Sequence, residues 1–214
     1  MHGKLLYMKR PHIITISGKP GSGKSSTADR VAELLGYTRF SSGDAVREMI
    51  KKQKITLAEY NKKAEAQPEL DNKIDEELRE LRDNQDVVID SRLGFYWIPE
   101  SFKVYLDLNP EVAMARIYKD ANLNVLRDSS KEGDSMDDVI EQVNERMSSE
   151  RKRFDSLYSV NPFAVKHFDL IIDTSRHSPE TVALTVFDNY TKWLQSTKWK
   201  QVISKVPMGY SFKS

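Results

Sequence analysis

The stretch IITISGKPGSGKSST, residues 13–27, decides the fold of this chain. Its apolar run leads into a segment, Gly18 to Ser25, that satisfies the pattern G-x-x-x-x-G-K-[ST] in full. An amphipathic helical pattern follows, and a strand, a loop and a helix in this order are the context in which the motif binds phosphate. The glycines let backbone N–H groups converge on one anion, and the helix N-terminus adds partial positive charge. The stretch therefore predicts a nucleotide polyphosphate site rather than a merely flexible turn.

The motif gives its residues individual roles. In such loops the lysine, here Lys24, reaches the β- and γ-phosphates, and the hydroxyl that follows it, on Ser25, suits Mg²⁺. We therefore expect Mg²⁺ to accompany the nucleotide. The residues expected to bind the nucleotide phosphates are Gly18, Pro20, Gly21, Ser22, Gly23, Lys24, Ser25 and Ser26.

The composition is that of an ordinary globular chain and excludes several function classes. The 33 basic and 32 acidic residues leave a net charge of +1, which argues against a protein that coats nucleic acid. The chain has no cysteine, so disulfides and cysteine-based zinc sites are excluded. No apolar run approaches the ~18 residues of a membrane span, and no targeting signal is visible. We expect a cytoplasmic monomer with no nucleic-acid or membrane partner.

Short apolar runs alternate with helical patterns along the chain. This alternation predicts a single α/β domain over residues 1–214, with a five-stranded parallel sheet and helices on both faces. Two charged segments interrupt the alternation and are interpreted as insertions, and the last stretch has no clear period and no assigned role. The strands are expected at 12–17, 38–42, 86–90, 102–108 and 168–173, the core at 12–42, 86–119 and 155–195, the insertions at 43–85 and 120–150, and the unassigned tail at 196–214.

Arginines follow the strands at the positions where open α/β sheets bind ligands. Arg47 comes shortly after the second strand and Arg92 directly after the third, near the carboxyl ends of both. On the late helical segment, Arg146, Glu150 and Arg153 fall within an arc of about 60°. Because phosphoryl transfer depends on positioning and on charge neutralisation, this set indicates an enzyme that brings two phosphates together.

A second nucleotide motif in the chain is misleading. Residues 72–75, NKID, match the NKxD pattern that recognises guanine in GTPases. That motif should follow an apolar strand, whereas here it lies in a charged helical pattern with Leu70, Ile74, Leu78 and Leu81 on one stripe. The third strand is followed by DSRLG rather than D-x-x-G. We therefore reject the GTPase interpretation.

The combination of motifs resembles the nucleoside monophosphate kinases, specifically the short, archaeal-type cytidylate kinases. The resemblance runs from about Ile13 to about Thr174 and rests on the P-loop, SSGDAVREM, VVIDSRLGFYW, NPEVAMARI, NERMSSERKRF and FDLIIDTS. It implies a P-loop NTPase core, ATP as the phosphoryl donor with Mg²⁺, and CMP or dCMP as the acceptor. Segment 43–85 would bind the monophosphate, and residues 120–134, within the insertion 120–150, would form the lid.

The resemblance also implies roles for the remaining polar residues. The catalytic residues would be Lys24, Arg92, Arg146 and Arg153. Arg127 would reach the donor ATP, and Asp90 would hold a Mg²⁺-bound water at the metal site with Ser25. The alternative for Asp90 is a structural cap on the turn that follows. The acceptor would be bound by Ser42, Asp44, Arg47, Arg92 and Glu150.

Two alternatives stay open at this point. Ser91 and the aromatic cluster that follows it depart from the family pattern, and base selectivity depends on pocket shape and a few hydrogen bonds. An adenylate or other nucleoside monophosphate kinase of the same architecture is therefore one alternative. The other is a catalytically silent nucleotide-binding regulator, against which the retained lysine and arginines argue.

Overall fold

The computed structural model describes residues 10–127 and 135–204, and for residues 121–127 it describes the helical backbone alone. The lid expected at 120–134 therefore falls almost entirely outside the described side chains, and the side chain of Arg127 with it. Across the part of the chain that is described, no helix is long and apolar enough to cross a membrane.

A single parallel sheet organises the molecule, with the strand order β2-β3-β1-β4-β5-β6. The first strand lies in the middle, and the order reverses beside it, which in open α/β sheets marks the ligand-binding crevice. All five strand pairings are parallel. The strands are β1 (Ile13–Gly18), β2 (Thr38–Ser41), β3 (Val87–Asp90), β4 (Phe102–Asp107), β5 (Leu170–Asp173) and β6 (Val202–Ser204).

The expectation of five strands was wrong, because the tail adds a sixth. Strand β6 pairs in parallel with β5, with Leu170 opposite Val202. Trp199 precedes it, packs against the core and donates its indole N–H to the carbonyl of Asp169 at 3.2 Å. A three-residue edge strand carries too few residues to show a period of two, so the sequence pattern did not reveal it.

Eight helices connect and cover the strands in the described residues. Three of the helices begin at a capping side chain: Thr56 forms a capping box with Glu59, Asn109 accepts from the backbone N–H of Glu111, and Ser178 accepts from that of Thr181. The helices are α1 (Lys24–Leu35), α2 (Ser42–Gln53), α3 (Leu57–Ala66), α4 (Glu69–Glu80), α5 (Gly94–Trp97), α6 (Pro110–Arg127), α7 (Met136–Tyr158) and α8 (Pro179–Gln195).

The helix before the expected lid is longer than the expected core segment 86–119. Helix α6 continues to Arg127, inside the segment 120–134 that was expected to form the lid. The sequence DANLNVLR contains neither proline nor glycine, so nothing in it ends the helix.

The core lies on both faces of the sheet, as the alternation predicted. On one face, β1 buries Ile14 and Ile16 against α1 and α8. On the other face, Ile13 and Ile89 pack against Ile74 of α4. Because β1 is buried on both sides, it is held rigidly, and it presents the loop that follows it at a fixed position at the carboxyl edge.

Candidate functional site

The P-loop leaves β1 at its carboxyl end and runs into α1. Gly18, Gly21 and Gly23 all have positive φ angles, of 150°, 74° and 80°. A Cβ on Gly18 would lie 2.2 Å from the carbonyl oxygen of Leu106 on the adjacent strand, so only glycine fits there. Gly23 caps α1, whose N-terminal N–H groups open toward the loop. The backbone therefore has the shape that the motif predicted.

Lys24 lies inside this loop. Its Nζ donates to the carbonyl oxygens of Gly18 and Lys19, at 3.3 and 3.4 Å. Burial, with the nearby charge of Arg92, lowers the pKa of Lys24 to about 7. The charged form of Lys24 is therefore poorly stabilised in the free protein, and the negative charge of a bound polyphosphate would stabilise it.

Two cavities meet at the carboxyl edge of the sheet. The P-loop cavity, of about 320 Å³, is lined by Pro20, Gly21, Lys24, Ser25 and Asp90, among others. The inner cavity, of about 300 Å³, lies under α2, α3 and α4 and reaches α7. Their linings overlap in one set of residues, which comprises Ser42, Gly43, Arg47, Leu57, Ser91, Arg92 and Arg146.

A buried carboxylate holds two cations at this junction. Glu150 Oε2 accepts from Nε of Arg92 at 2.7 Å, and Oε1 accepts from Nε of Arg146 at 2.9 Å. Burial opposes the ionisation of Glu150, but the charges and hydrogen bonds of the two arginines outweigh it and lower its pKa to about 2. Arg92 also donates from Nη1 to the carbonyl of Gly18, which ties this centre to the P-loop.

The far end of the inner cavity contains a second charged pair. Nη1 of Arg153 lies 3.3 Å from Oδ1 of Asp71, and both side chains are almost fully buried. Burial raises the pKa of Asp71 to about 6, against the opposing charge of Arg153. Among the described residues, Asp71 Oδ2, Arg153 Nε and the hydroxyl of Tyr60 are buried without a hydrogen-bond partner. Such atoms are costly unless a polar ligand satisfies them.

Asp75 closes the floor of the inner cavity. It accepts from the indole N–H of Trp97 at 2.8 Å and from the hydroxyl of Tyr158. These bonds join α4, α5 and α7, so the helix that carries Asp71 is fastened to the core at this end. Burial raises the pKa of Asp75 despite both donors.

Ser25 and Asp90 lie together at the base of the P-loop cavity. The hydroxyl of Ser25 donates to Oδ2 of Asp90 at 2.6 Å, and the side chain of Asp90 is 7% exposed. A hydroxyl and a carboxylate are the oxygen ligands that Mg²⁺ prefers, and Mg²⁺ takes its other ligands from water and substrate phosphates. In the described part of the chain, no cluster of three or more His, Cys, Asp or Glu residues is arranged to hold a metal alone. The residues present therefore fit a nucleotide-bound Mg²⁺.

The structure brings most of the sequence-predicted residues to these cavities. Asp44 is different: it is absent from both linings and instead pairs with Arg39 at 2.9 Å and with Arg47. Arg153, expected to be catalytic, lines the inner cavity only, where its Nη1 lies 3.3 Å from Oδ1 of Asp71. Among the loop residues, Ser26 is exposed and Ser22 is buried.

Four polar residues in or beside the cavities were not predicted from the sequence, namely Arg39, Tyr60, Asp71 and Asp75. A signal existed for two of them: Asp71 and Asp75 lie on the same buried face of α4 as Ile74 and Leu78. Acidic side chains on the apolar face of a helix indicate a polar cavity beneath it. The contacts of Arg39 join segments that are distant in sequence, and no local pattern marks it.

A family model supports the assignment that the motifs suggested. The model described as the cytidylate kinase-like family matches residues 13–176. A cytidylate kinase from Methanopyrus kandleri is 34% identical over 174 residues, which cover 78% of this chain and 87% of that protein. A cytidylate kinase from Halobacterium salinarum is 32% identical over 179 residues, covering 82% and 88%.

A longer relative matches almost the whole chain. An S-adenosylmethionine-dependent nucleotide dehydratase from Lacinutrix mariniflava is 36% identical over 196 residues, or 91% of this chain. The matched region is 37% of that protein's length. Most of the dehydratase therefore lies outside the matched region.

Solved structures share the fold at low sequence identity. A shikimate kinase from Acinetobacter baumannii superposes with a TM-score of 0.54 at 18% identity, covering 89% of this chain and 97% of that one. A shikimate kinase from Bacteroides thetaiotaomicron gives 0.52 at 12% identity, covering 86% and 98%. At such identities the likeness shows the α/β kinase fold alone.

Proposed function

The chain belongs to the cytidylate kinase-like family, and we propose that it transfers the γ-phosphoryl group of ATP to CMP or dCMP. The observation that carries the proposal is the junction of the two cavities, where Arg92 and Arg146 face both. The P-loop cavity takes the triphosphate, and the inner cavity takes the monophosphate. Their overlap lies where the γ-phosphate and the acceptor phosphate would meet.

The reaction needs little covalent help from the protein. An oxygen of the acceptor phosphate, already anionic, forms the new O–P bond while the bond from the γ-phosphorus to the β,γ-bridging oxygen breaks, and ADP leaves. Lys24, Arg92 and Arg146 neutralise the charge that spreads over the phosphoryl oxygens, and no general base is required. Glu150 holds both arginines in place before the substrates arrive.

Ser25 and Asp90 are the residues that would hold Mg²⁺ with the nucleotide. When bound, the ion supplies charge neutralisation at the phosphates. On the acceptor side, Arg47 lines both cavities and is the exposed cation that can swing onto the acceptor phosphate. Asp44 orients Arg47 rather than contacting the acceptor itself.

The far end of the inner cavity suits the cytosine base. Cytosine presents an exocyclic amino group beside its ring acceptors N3 and O2, and a carboxylate is a suitable acceptor for that amino group. Asp71 offers a free carboxylate oxygen next to the free donors of Arg153. Uracil presents a carbonyl where cytosine has its amino group, and would leave Asp71 facing an acceptor. Arg153 is therefore assigned to the acceptor rather than to the transferring phosphoryl group.

The proposal is tested with a panel of acceptors. ADP release from MgATP is measured with CMP, dCMP, UMP, AMP and GMP, and without acceptor. Turnover is expected to be strongest with CMP or dCMP and lost in Lys24→Met, whereas Lys192→Met, on an exposed turn of α8, serves as the matched control. Strong turnover with AMP would retain the architecture and overturn the base assignment. No turnover with any acceptor, while ATP still binds, would favour a regulatory binding module.

A further inference from the structure

Arg39, on β2, contacts carboxylates from three different elements. Its Nε lies 3.0 Å from Oδ1 of Asp29 on α1, and its Nη1 donates to Oδ2 of Asp44 on α2 at 2.9 Å. Its Nη2 lies 3.5 Å from Oδ2 of Asp90 at the end of β3. Arg39 lies outside both cavity linings, so it does not itself touch a ligand in them.

Two of these carboxylates each have a second partner in the site. Asp44 accepts from Arg47, which faces both cavities, and Asp90 accepts from the hydroxyl of Ser25. A continuous chain of polar contacts therefore runs from Arg47 through Asp44, Arg39 and Asp90 to the hydroxyl of Ser25. It joins the group proposed for the acceptor phosphate to the groups proposed for the metal.

The two terminal nitrogens of Arg39, Nη1 and Nη2, make contacts of unequal length. The bond to Asp44 has the length of a strong charge-assisted hydrogen bond, whereas the contact with Asp90 is at the outer limit. Asp44 is shared between two arginines in the free protein. If Arg47 moved onto a phosphate dianion, Asp44 would no longer be shared and would attract the guanidinium of Arg39 more strongly. Asp90 would then face a weaker competing cation and would be a better metal ligand.

We propose that Arg39 is a positioning residue that couples acceptor binding to the metal site. The inference rests on the proposed function, since it takes Arg47 as the acceptor-phosphate group and Ser25 with Asp90 as the metal site. By linkage the coupling is reciprocal, so Mg²⁺ must tighten the binding of the acceptor by the same factor. The rigid fork of arginine is needed, because lysine is a point charge that cannot serve two carboxylates in this way.

The test measures this coupling through binding. The Kd of CMP is determined by calorimetry with a saturating non-hydrolysable ATP analogue, once with Mg²⁺ and once with EDTA. In the native protein Mg²⁺ is expected to tighten CMP binding about fivefold or more, a usual size for coupled sites. In Arg39→Gln the two Kd values are expected to converge, because Asp90 is then free of Arg39 whether or not CMP is bound.

Two further variants and a control make the test selective. Arg39→Lys keeps the charge of the side chain, and Asp44→Asn removes the charge of its partner on the acceptor side. Both variants are expected to lose the coupling. Their melting temperatures should stay close to that of the native protein, which shows that they are folded. The matched control is Arg30→Gln, because Arg30 on α1 pairs with Glu33 and Glu180 at the surface, away from both cavities. This control should keep the native coupling.

The outcomes separate this inference from the proposed function. The inference would be overturned if folded Arg39→Gln or Arg39→Lys showed the same Mg²⁺-dependent change in the Kd of CMP as the native protein. It would also be overturned if the native protein phosphorylated CMP but bound it equally well with and without Mg²⁺. If Arg39→Gln does not fold, Arg39→Lys and Asp44→Asn decide the matter. A native protein that neither binds nor phosphorylates CMP would overturn the proposed function, and this inference with it.

Discussion

Arg92 and Glu150 form a buried ion pair across the junction of the two cavities, with Arg92 Nε 2.7 Å from Glu150 Oε2. The pair joins the end of β3 to the middle of α7. Because Glu150 also holds Arg146, one carboxylate fixes two cations that face both cavities. The arginines are therefore already arranged before a phosphate arrives, and they need little reorganisation during transfer.

Removing that carboxylate's charge should cost both activity and stability. In Glu150→Gln the two arginines lose their common anchor, and kcat with CMP is expected to fall about a hundredfold. The free energy of unfolding should fall by about 3–5 kcal/mol, since Arg92 is left buried without its counter-charge. Steady-state kinetics and urea denaturation measure the two effects. Glu141→Gln, on the exposed face of the same helix, should change neither kcat nor the free energy of unfolding. A native kcat in Glu150→Gln would show that the ion pair has no part in the mechanism.

ATP binding should take up a proton at alkaline pH. The pKa of Lys24 is lowered to about 7 in the free protein, so at pH 8 its amine is mostly neutral. A polyphosphate raises that pKa again, and the affinity for ATP should therefore weaken as the pH rises above about 7. Calorimetry at pH 8 in two buffers of different ionisation enthalpy detects the uptake. Equal apparent enthalpies in the native protein would contradict the role of Lys24, and Lys24→Met should show no uptake.

The preference for cytosine should depend on pH through Asp71. The pKa of Asp71 is raised to about 6, so below that pH the carboxyl carries a proton, loses its charge and becomes a weaker acceptor for the amino group of cytosine. The ratio of kcat/KM for CMP to that for UMP should fall as the pH drops below about 6. UMP is the right reference, because it carries the same phosphate.

An amide at position 71 should remove this dependence. Asn in Asp71→Asn donates as well as accepts, so the CMP preference should fall about tenfold, the order of one good base contact. The remaining ratio should be independent of pH. A variant that kept both the native preference and its pH profile would exclude Asp71 from base recognition.

The P-loop should not tolerate a side chain at its first glycine. In Gly18→Ala the new Cβ would meet the carbonyl of Leu106 at 2.2 Å, and the φ angle of 150° is one that alanine rarely adopts. The free energy of unfolding should fall by about 1–3 kcal/mol or more. Gly43→Ala is the matched comparison for stability, because its Cβ would meet only side-chain atoms at 3.5 Å and beyond. A native melting temperature in Gly18→Ala would contradict the close approach of the two strands.

The sequence was sufficient for the core of the fold and for the phosphate end of the site. The P-loop motif and the apolar strands are local signals, and the structure confirms their positions, with α1 beginning at Lys24. Arg92 and Arg146 could be predicted as site residues from spacing alone, because Arg92 follows the end of a predicted strand and Arg146 lies on a defined arc of a predicted helix. The contact of Arg153 with Asp71 was not predicted, because Arg153 shares the helical arc of Arg146 and the arc does not show which residues of other helices it meets.

What the sequence did not reveal depends on contacts between distant segments. Asp71 and Asp75 face a cavity that exists only once α4 packs over the sheet against α5 and α7. Arg39 acquires its three carboxylates from α1, α2 and β3, none of which shares a local pattern with it. Strand β6 is stabilised by the exposed edge of β5 and by Trp199, not by its own composition.

The transfer itself is tested most directly by following the γ-phosphoryl group. ATP labelled at the γ-phosphate is incubated with CMP, Mg²⁺ and the purified protein, and the nucleotides are separated. The account predicts that the label appears in CDP in step with the formation of ADP. Label released as inorganic phosphate, with CMP unchanged, would contradict phosphoryl transfer between the two cavities.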